Sequence, residues 1–344
     1  MTESCPSPYL CFVDDSLPGF TRRKLKHGWA YYDADGARIT DRDEIDRLNA
    51  IGMPPAYQDC WFSPTPHGHI QAIGKDARGR RQYRYHPAFR AGQEQSKFMR
   101  CAEFGHALPR LRARVEEDIH TRRLSREAVI AAVIRLLDLG RVRVGNESYA
   151  QANESFGATT LRRHHAQLTR SALTLEFKGK SGKMHRIRMS DRHLIRIIRR
   201  CQDLEGQHLF QYVDAEGEPH RVGSGDVNAY IKETMGEAFS AKNFRTWSAS
   251  VIAFEALCTA RAPLSVKKLV EPVAQLLGNT PAIARKSYVH PALIELAQSS
   301  RTLSDVRLPR KSRYLSRAER GLIAFLEEQG KECGDADTGR AKAA

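Results

Sequence analysis

Two hydrophobic patterns divide this chain. Up to about residue 92, short apolar segments alternate with Gly, Pro and Asp. Such short runs between turn residues are typical of β-strands. From about residue 93, apolar positions recur at helical spacing over long stretches. The sequence therefore predicts an α+β fold, with a β-rich domain over 1–92, a larger mainly α-helical domain over 93–330, and a disordered polar tail over 331–344.

The N-terminal domain carries the clearest turn signals. Residues 28–40 predict a β-hairpin, because an aromatic run is followed by a Gly-containing turn at 33–36 and a second short extended run. Residues 41–50 predict a helix that ends before Pro54. Further short strands are predicted at 60–62, 70–73 and 82–85.

The second domain is predicted to be helical with one β-hairpin. Ser125 is suited to cap a helix that runs to Leu139 and stops at Gly140. Alternating residues over 173–177, a Gly-containing turn at 179–182 and a return over 184–189 predict the hairpin. One apolar face is predicted for the capped helix, formed by Val129, Ala132, Val133, Leu136 and Leu137. Further helices are predicted to start near residues 193, 225, 248, 264, 281 and 315.

The charge balance indicates a polyanionic partner. The chain has 55 Lys and Arg against 40 Asp and Glu, a net charge of +15. Most of this excess lies after residue 92, and such a balance favours nucleic acid over a small-molecule substrate. No apolar run is long enough for a membrane span, and no signal peptide is recognised at the N-terminus. The seven cysteines are scattered without a C-x-x-C pair, which favours a reducing, cytoplasmic compartment.

Four segments carry groups suited to phosphate chemistry. They contain Arg143, Lys180, Lys242 with Arg245, and finally Asn279 with Tyr288. Arginine offers a planar fork for phosphate oxygens, and a tyrosine can attack phosphorus to form a phosphodiester. No carboxylate cluster at ligand spacing accompanies these residues, so neither a metal site nor a cofactor is predicted.

These segments resemble the motifs of the type IB DNA topoisomerases, in particular the poxvirus-like bacterial family. The resemblance spans both domains, and the motifs occur in the family's order. The matching segments are Arg143-Val-Gly-Asn-Glu-Ser-Tyr149, Gly179-Lys180, Lys242-Asn-Phe-Arg245-Thr-Trp, Gly278-Asn-Thr-Pro281, Ser287-Tyr288 and, in the first domain, Gln82-Tyr-Arg-Tyr85.

The resemblance implies an ATP-independent enzyme that relaxes supercoils of either sign, with a role for each motif residue. Tyr288 is expected to attack the scissile phosphate and become joined to the 3′ end. Arg143, Arg245 and Asn279 are expected to stabilise the transition state, and Lys180, with Arg143, to protonate the departing 5′ oxygen. Asn279 stands where the poxvirus pattern has His, so its role is expected to be hydrogen bonding without charge or proton transfer.

The resemblance also implies a DNA-contacting strand and a C-shaped clamp. The enzyme is expected to act as a monomer on duplex DNA in a bacterial cytoplasm, and a virus particle is the less favoured source. A strand that alternates Gln or Tyr with Arg suits contacts to base edges and phosphates. The residues expected to contact DNA are Arg81, Gln82, Tyr83, Arg84, Tyr85, Tyr149 and Lys242.

Two alternative functions and the role of one helix stay open at this stage. A tyrosine recombinase shares the chemistry, although it usually has H-x-x-R where this chain has Lys242-Asn-Phe-Arg245 and a helical rather than β-rich N-terminal domain. A non-catalytic DNA-binding protein would explain the charge but not the ordered motifs. The basic helix near residues 192–200 fits either a solvated face or a DNA contact.

Overall fold

The computed structural model describes residues 9–121, 123–299, 302–303 and 306–341, with side chains as far as residue 331. The chain divides into two compact units, Met1–Lys97 and Phe98–Ala344. The division falls a few residues after the predicted boundary at residue 92. Over the described residues the fold is mixed, with twelve α-helices and small antiparallel sheets. Within those residues, no helix is both long and apolar enough to cross a bilayer.

The N-terminal unit contains a two-stranded and a three-stranded antiparallel sheet, ordered β1-β2 and β3-β4-β5. Its small core includes Tyr31, Leu48 and Phe62. The helix predicted over 41–50 forms as α1, and Asp41 caps it by accepting hydrogen bonds from two backbone amides. The elements of this unit are β1 (Thr21–Lys24), β2 (Trp29–Tyr32), α1 (Arg42–Ala50), β3 (Gln58–Phe62), β4 (Ile70–Lys75) and β5 (Arg81–Tyr85). Helix α2 (Pro87–Met99) begins in this unit and ends just beyond Lys97.

The predicted hairpin over 28–40 is only partly correct. The turn forms, since the Asp33 amide donates to the Ala37 carbonyl at 2.9 Å. After the turn, however, the chain makes only an isolated bridge between Tyr32 and Arg38. The strand partner of β2 is instead β1, which precedes it in sequence. The Arg- and Lys-rich β1 has no apolar alternation, so the sequence pattern did not reveal it.

The second unit is mainly helical, as predicted, but it contains more strands than the single predicted hairpin. A third strand, β6, extends the β7–β8 hairpin into a sheet, and β9 pairs with β10. The helices are α3 (Cys101–Ile119), α4 (Arg126–Gly140), α5 (Glu147–Asn153), α6 (Arg192–Gln202), α7 (Ser224–Met235), α8 (Ala241–Thr259), α9 (Val266–Leu277), α10 (Pro281–Ser287), α11 (Pro291–Gln298) and α12 (Arg317–Ala341). The strands are β6 (Ala166–Leu168), β7 (Leu173–Lys178), β8 (Met184–Met189), β9 (Gln211–Val213) and β10 (Pro219–Arg221).

Helix α4 is the centre of this unit. Ser125 caps it through the Ala128 amide, as predicted. The prediction of a single apolar face was wrong, because every residue from Ala128 to Ile134 is buried. Helices α3, α6, α7 and α8 all contact α4, and a helix surrounded in this way buries its whole circumference.

The predicted disordered tail over 331–344 overlaps the end of α12, and its residues 342–344 lie outside the described residues. The backbone of α12 is helical from Arg317 to Ala341. Its first turns are anchored by Glu319, which is buried and accepts hydrogen bonds from Arg112 and from the Trp247 indole.

Candidate active site

Arg143 lies in a closely held loop between α4 and α5. The loop backbone accepts hydrogen bonds from the amides of Ala158 and Thr159, at 2.8 and 2.7 Å. Two glycines allow this approach. Gly145 adopts a positive φ of 95°, and a Cβ on Gly157 would lie 2.6 Å from the Arg143 carbonyl oxygen. The loop therefore fixes the position from which the Arg143 side chain extends.

Asn279 meets Arg143 at the end of α9. Gly278 ends that helix in the left-handed conformation, and the Asn279 amide donates to the Ala274 carbonyl at 2.9 Å. The Arg143 Nη2 donates to Asn279 Oδ1 at 2.8 Å. This contact orients the side-chain amide, and its Nδ2 is buried without a hydrogen-bond partner in the described structure. Thr280, not Asn279, caps α10.

Arg245 is the most deeply buried cation of the group, with 3% of its surface exposed. Its two terminal nitrogens donate to the carbonyls of Arg141 and Leu277, at 2.6 and 2.8 Å. Its Nε is buried and has no partner among the described residues. Burial, reinforced by the neighbouring Arg143, lowers the pKa of Arg245 to about 10. Arg245 therefore still carries its charge at neutral pH and retains a free donor.

Tyr288 follows α10, with its ring centroid 5.1 Å from the Arg245 guanidinium carbon. The Tyr288 amide donates to the Ala284 carbonyl at 3.1 Å. Burial acts to raise the pKa of the phenol, but the guanidiniums of Arg245 and Arg143 outweigh it, and the net pKa is lowered. The site thus favours the phenolate, which is the nucleophilic form.

One cavity of about 450 Å³ brings most of the predicted residues together. Asn279 joins this group through its hydrogen bond to Arg143. Lys180 lies in the turn between β7 and β8, where its side chain is exposed. The cations and orphan donors suit an anion with several oxygens, such as a phosphodiester. The predicted residues that line the cavity are Arg143, Tyr149, Lys180, Lys242, Arg245 and Tyr288.

Comparison with known proteins gives the family. Residues 86–305 match the family model described as eukaryotic DNA topoisomerase I, catalytic core, and residues 28–76 match that of the bacterial DNA topoisomerase IB N-terminal domain. The DNA topoisomerase 1B of Acanthamoeba polyphaga mimivirus is 33% identical over 298 residues, which cover 83% of this chain and 89% of the relative. The chain belongs to the type IB DNA topoisomerases.

Two further similarities to known proteins are more distant. Vaccinia virus DNA topoisomerase 1B is 22% identical over 71% of this chain and 77% of its own length. A solved XerH site-specific recombinase bound to difH has a TM-score of 0.37 and 13% identity, over 56% of this chain and 52% of that one. That likeness is too distant to decide anything about this protein. The family match sets aside the readings as a recombinase or as a non-catalytic DNA-binding protein.

All five predicted catalytic residues of the topoisomerase lie inside the matched catalytic core, whereas β5 falls between the two matched ranges. On β5, Tyr83 and Tyr85 are exposed and stacked, with ring centroids 5.9 Å apart. Gln82 donates to Asp76, Arg81 pairs with Asp15, and Arg84 donates to the Gly52 carbonyl. Tyr85 also stacks on Phe89, and the Arg81 guanidinium lies over the Tyr83 ring, so each tyrosine is only partly exposed. The DNA contacts of this strand stay predictions.

Two arginines of the basic helix α6 make hydrogen bonds within the protein. Arg196 donates to the Ile119 carbonyl at the end of α3, and Arg199 donates to the Thr169 carbonyl at 3.1 Å. The Ile119 carbonyl belongs to the last turn of α3, where carbonyls have no partner within the helix. For these two arginines, the contacts favour a structural role over the DNA contact that the sequence left open.

Sequence reasoning missed three groups that support the site of the topoisomerase. Gly157 allows the close approach to the Arg143 loop. Ser250 is fully buried and accepts a hydrogen bond from the His290 amide, with its Oγ 3.4 Å from the Tyr288 carbonyl oxygen. His185 lies beside both Gly179 and Gly278. Of the three, only Ser250 gave a sequence signal, as a Ser inside an apolar helix. Gly157 and His185 contact segments far from them in the chain, so the sequence did not reveal these contacts.

Proposed function

We propose that the cavity beside Tyr288 is where this topoisomerase cuts and reseals one strand of duplex DNA. One observation carries the proposal. The Nδ2 of Asn279 and the Nε of Arg245 are buried and lack partners in the described structure, and both side chains belong to the group around Tyr288. Unpaired buried donors cost free energy unless something satisfies them. The nonbridging oxygens of a DNA phosphate are negatively charged hydrogen-bond acceptors and would satisfy both of these donors.

The cleavage step follows from these positions. Tyr288 gives up its phenolic proton to solvent, and its Oη bonds to phosphorus while the bond to the 5′ oxygen breaks. Arg143, Arg245 and Asn279 donate to the nonbridging oxygens as negative charge develops there. Lys180 gives a proton to the departing 5′ oxygen, which is far more basic than a lysine amine.

Resealing is the same reaction in reverse. The 3′-phosphotyrosyl linkage conserves one phosphodiester bond, so the free 5′ hydroxyl can displace Tyr288 without ATP. Between the two steps the free 5′ end rotates, and torsional strain drives the rotation in either direction. Asn279 contributes only hydrogen bonds throughout, because an amide neither titrates nor carries charge in this pH range.

We further propose that the enzyme acts as a monomeric clamp with both units on one duplex. The exposed Tyr83 and Tyr85 of the N-terminal unit and the cationic cavity of the second unit each offer a DNA-binding surface. Sedimentation of the protein with a short duplex should give one protein per DNA. A complex of four proteins on two duplexes would contradict the clamp.

A bacterial cytoplasm is the location we propose for the enzyme. The match of residues 28–76 to a bacterial N-terminal domain supports this source over a virus particle. A fluorescent fusion expressed in a bacterium should coincide with the nucleoid stain. Fluorescence excluded from the nucleoid would contradict the proposal.

Plasmid relaxation tests the proposed function. Purified protein should relax positively and negatively supercoiled plasmid in EDTA without ATP. Tyr288→Phe should bind the same plasmid with similar affinity and leave it supercoiled, because it lacks the attacking oxygen. Relaxation by Tyr288→Phe would show that another group is the nucleophile.

A further inference from the structure

His185 fills the space between two of the predicted catalytic segments. It lies on β8, and glycines of both segments press against its ring. A Cβ on Gly179 would lie 2.6 Å from the His185 Cδ2, and a Cβ on Gly278 would lie 2.5 Å from the Cε1. Both distances are shorter than side chains tolerate, so the ring contacts the two backbones directly. Gly179 precedes Lys180, and Gly278 precedes Asn279.

The Asn279 side of this contact is held independently of His185. The amides of Gly278 and Asn279 donate to carbonyls in the last turn of α9, and the Asn279 side chain accepts from Arg143. The His185 ring also stacks on Phe177, with centroids 5.2 Å apart and planes 15° apart. Phe177 belongs to the core. The imidazole therefore rests against two surfaces that are themselves fixed.

The Lys180 side of the contact is less well held. Within the turn, the Gly179 amide donates to the Lys183 carbonyl and the Gly182 amide donates to the Gly179 carbonyl. Ser181 adopts a positive φ of 63°. In the part of the chain that the structure describes, no hydrogen bond or ion pair of the exposed Lys180 side chain is found. The ring of His185 is thus a main support that fixes how far this turn lies from Asn279.

The surroundings of His185 keep its ring uncharged. Burial is the main cause, and the nearby cations Arg143, Arg245 and Lys183 add to it, so that the pKa of the imidazole is lowered. At neutral pH the ring consequently contributes its shape and stacking rather than another positive charge.

We infer that His185 is a positioning residue whose ring sets the distance between Lys180 and the phosphate held by Arg143 and Asn279. It acts on leaving-group protonation through Lys180 and has no chemistry of its own. The inference rests on the proposed function, because it assumes that Lys180 is the proton donor.

A sulfur substitution in the DNA distinguishes a role of His185 in leaving-group protonation from general damage to the active site. Two duplexes carry one cleavage site mapped with the wild-type enzyme, with either oxygen or sulfur as the 5′ bridging atom. In both, the Tyr288 Oη–phosphorus bond forms and the bond to the bridging atom breaks. Oxygen needs the proton from Lys180, whereas sulfur leaves as a thiolate because a thiol has a pKa of about 8.5.

His185→Ala should lower single-turnover cleavage of the oxygen duplex by about 10- to 100-fold, the scale of a misplaced catalytic group. On the sulfur duplex the loss should be at most about threefold, since no proton is needed. Lys180→Ala should show the same pattern with a larger loss on oxygen, and Arg245→Ala should lose activity on both. His185→Phe keeps a stacked neutral ring and should retain most activity on both duplexes.

Equal losses on both duplexes for His185→Ala, or no loss on oxygen, would overturn the inference. Gly179→Ala provides an independent variant, because its Cβ would displace the turn from the ring; it should also lose cleavage on oxygen and recover it on sulfur. Thermal unfolding checks that each variant folds. If His185→Ala does not fold, the result with Gly179→Ala tests the inference instead. If sulfur fails to rescue Lys180→Ala, the proposed role of Lys180 is itself wrong, and the inference falls with it.

Discussion

Asn279 is the residue at which the hydrogen bonding of the site is most sharply defined. Its Oδ1 is occupied by Arg143, so the amide orientation follows from the contact and the buried Nδ2 becomes the free donor. Sequence reasoning predicted a hydrogen-bonding role at this position. It could not predict the pairing with Arg143, because the two residues lie far apart in the chain.

Asn279→Ala should lower the rate of DNA cleavage by about 10²- to 10³-fold, the usual effect of removing one preorganised donor. Single-turnover cleavage measures this, and DNA binding should change little. Asn279→His restores a donor and should recover most of the lost rate. Asn279→Asp should be at least as slow as Ala, because it offers no donor and repels the phosphate. Equal rates for the wild type and Asn279→Ala would exclude the proposed contact.

The two tyrosines Tyr288 and Tyr230 should titrate in opposite directions. The phenol of Tyr288 has a lowered pKa because Arg245 and Arg143 outweigh its burial. Tyr230 has a raised pKa, because it is buried and its hydroxyl donates to Asp118 at 2.6 Å. At a pH just below 10, Tyr288 should therefore be more ionised than a free tyrosine and Tyr230 less so.

Carbon-13 NMR of labelled tyrosine rings measures both titrations, with Tyr288→Phe and Tyr230→Phe to assign the signals. Arg143→Ala should raise the pKa of Tyr288 and leave that of Tyr230 unchanged. A Tyr288 signal that titrates above the ordinary tyrosine value would contradict the electrostatic account of the nucleophile.

At the scale of elements, local signals were predictable and distant pairings were not. Ser125 caps its helix as the sequence predicts, because a cap involves only neighbouring residues. The partner of β2 and the β9–β10 pair were missed. Strand pairing depends on which segments the fold brings together, and short polar strands carry little periodicity.

Gly157 allows two segments to touch, so its substitution should affect activity as well as stability. A Cβ there would lie 2.6 Å from both the Arg143 carbonyl oxygen and the Gly145 nitrogen. Gly157→Ala should destabilise the protein by about 1–3 kcal/mol, the usual cost of overpacking. It should also slow cleavage by about tenfold or more, because it displaces Arg143.

The matched control is Gly225→Ala in α7, where nothing lies within 4 Å of the added Cβ. That variant should be neutral or stabilising by up to about 1 kcal/mol, since alanine favours a helix. Urea unfolding and single-turnover cleavage measure the two effects. Full activity in Gly157→Ala would show that the close contact does not position Arg143.

Helix α12 is tied to α8, the helix that carries Arg245, through Glu319. This carboxylate accepts from Arg112 and from the Trp247 indole. Glu319→Gln should destabilise the protein by about 1–3 kcal/mol, because it removes one of the two carboxylates that pair with Arg112, whose salt bridge to Asp138 at 2.8 Å remains. Glu327→Gln on the same helix breaks only an exposed contact to His106 and should cost less than about 1 kcal/mol.

The same carboxylate gives stability a pH dependence of known sign. Burial opposes ionisation of Glu319, but Arg112 outweighs it and the pKa is lowered. The stabilisation is therefore complete above the unfolded-state pKa and is lost as pH falls through the folded-state value. Urea unfolding across this range should show a shallower acid loss in Glu319→Gln. Identical pH dependence in both proteins would contradict this assignment.

At the scale of the whole molecule, the net charge of +15 predicted a polyanionic partner, and the family match agrees with DNA. The assembly of the site was not readable from composition or periodicity. Arg143, Lys180, Arg245 and Tyr288 come from four separated segments, and only the fold brings them to one cavity. The resemblance to the topoisomerase family predicted that these four residues act together. The individual role of each residue stays a prediction.

Trapping the covalent intermediate tests the central claim most directly. The enzyme is mixed with a duplex whose cleaved end diffuses away, then denatured and digested, and the DNA-linked peptide is identified by mass spectrometry. The account predicts that DNA is joined through its 3′ phosphate to Tyr288, and that Tyr288→Phe gives no adduct. An adduct on another residue, or linkage through the 5′ phosphate, would contradict it.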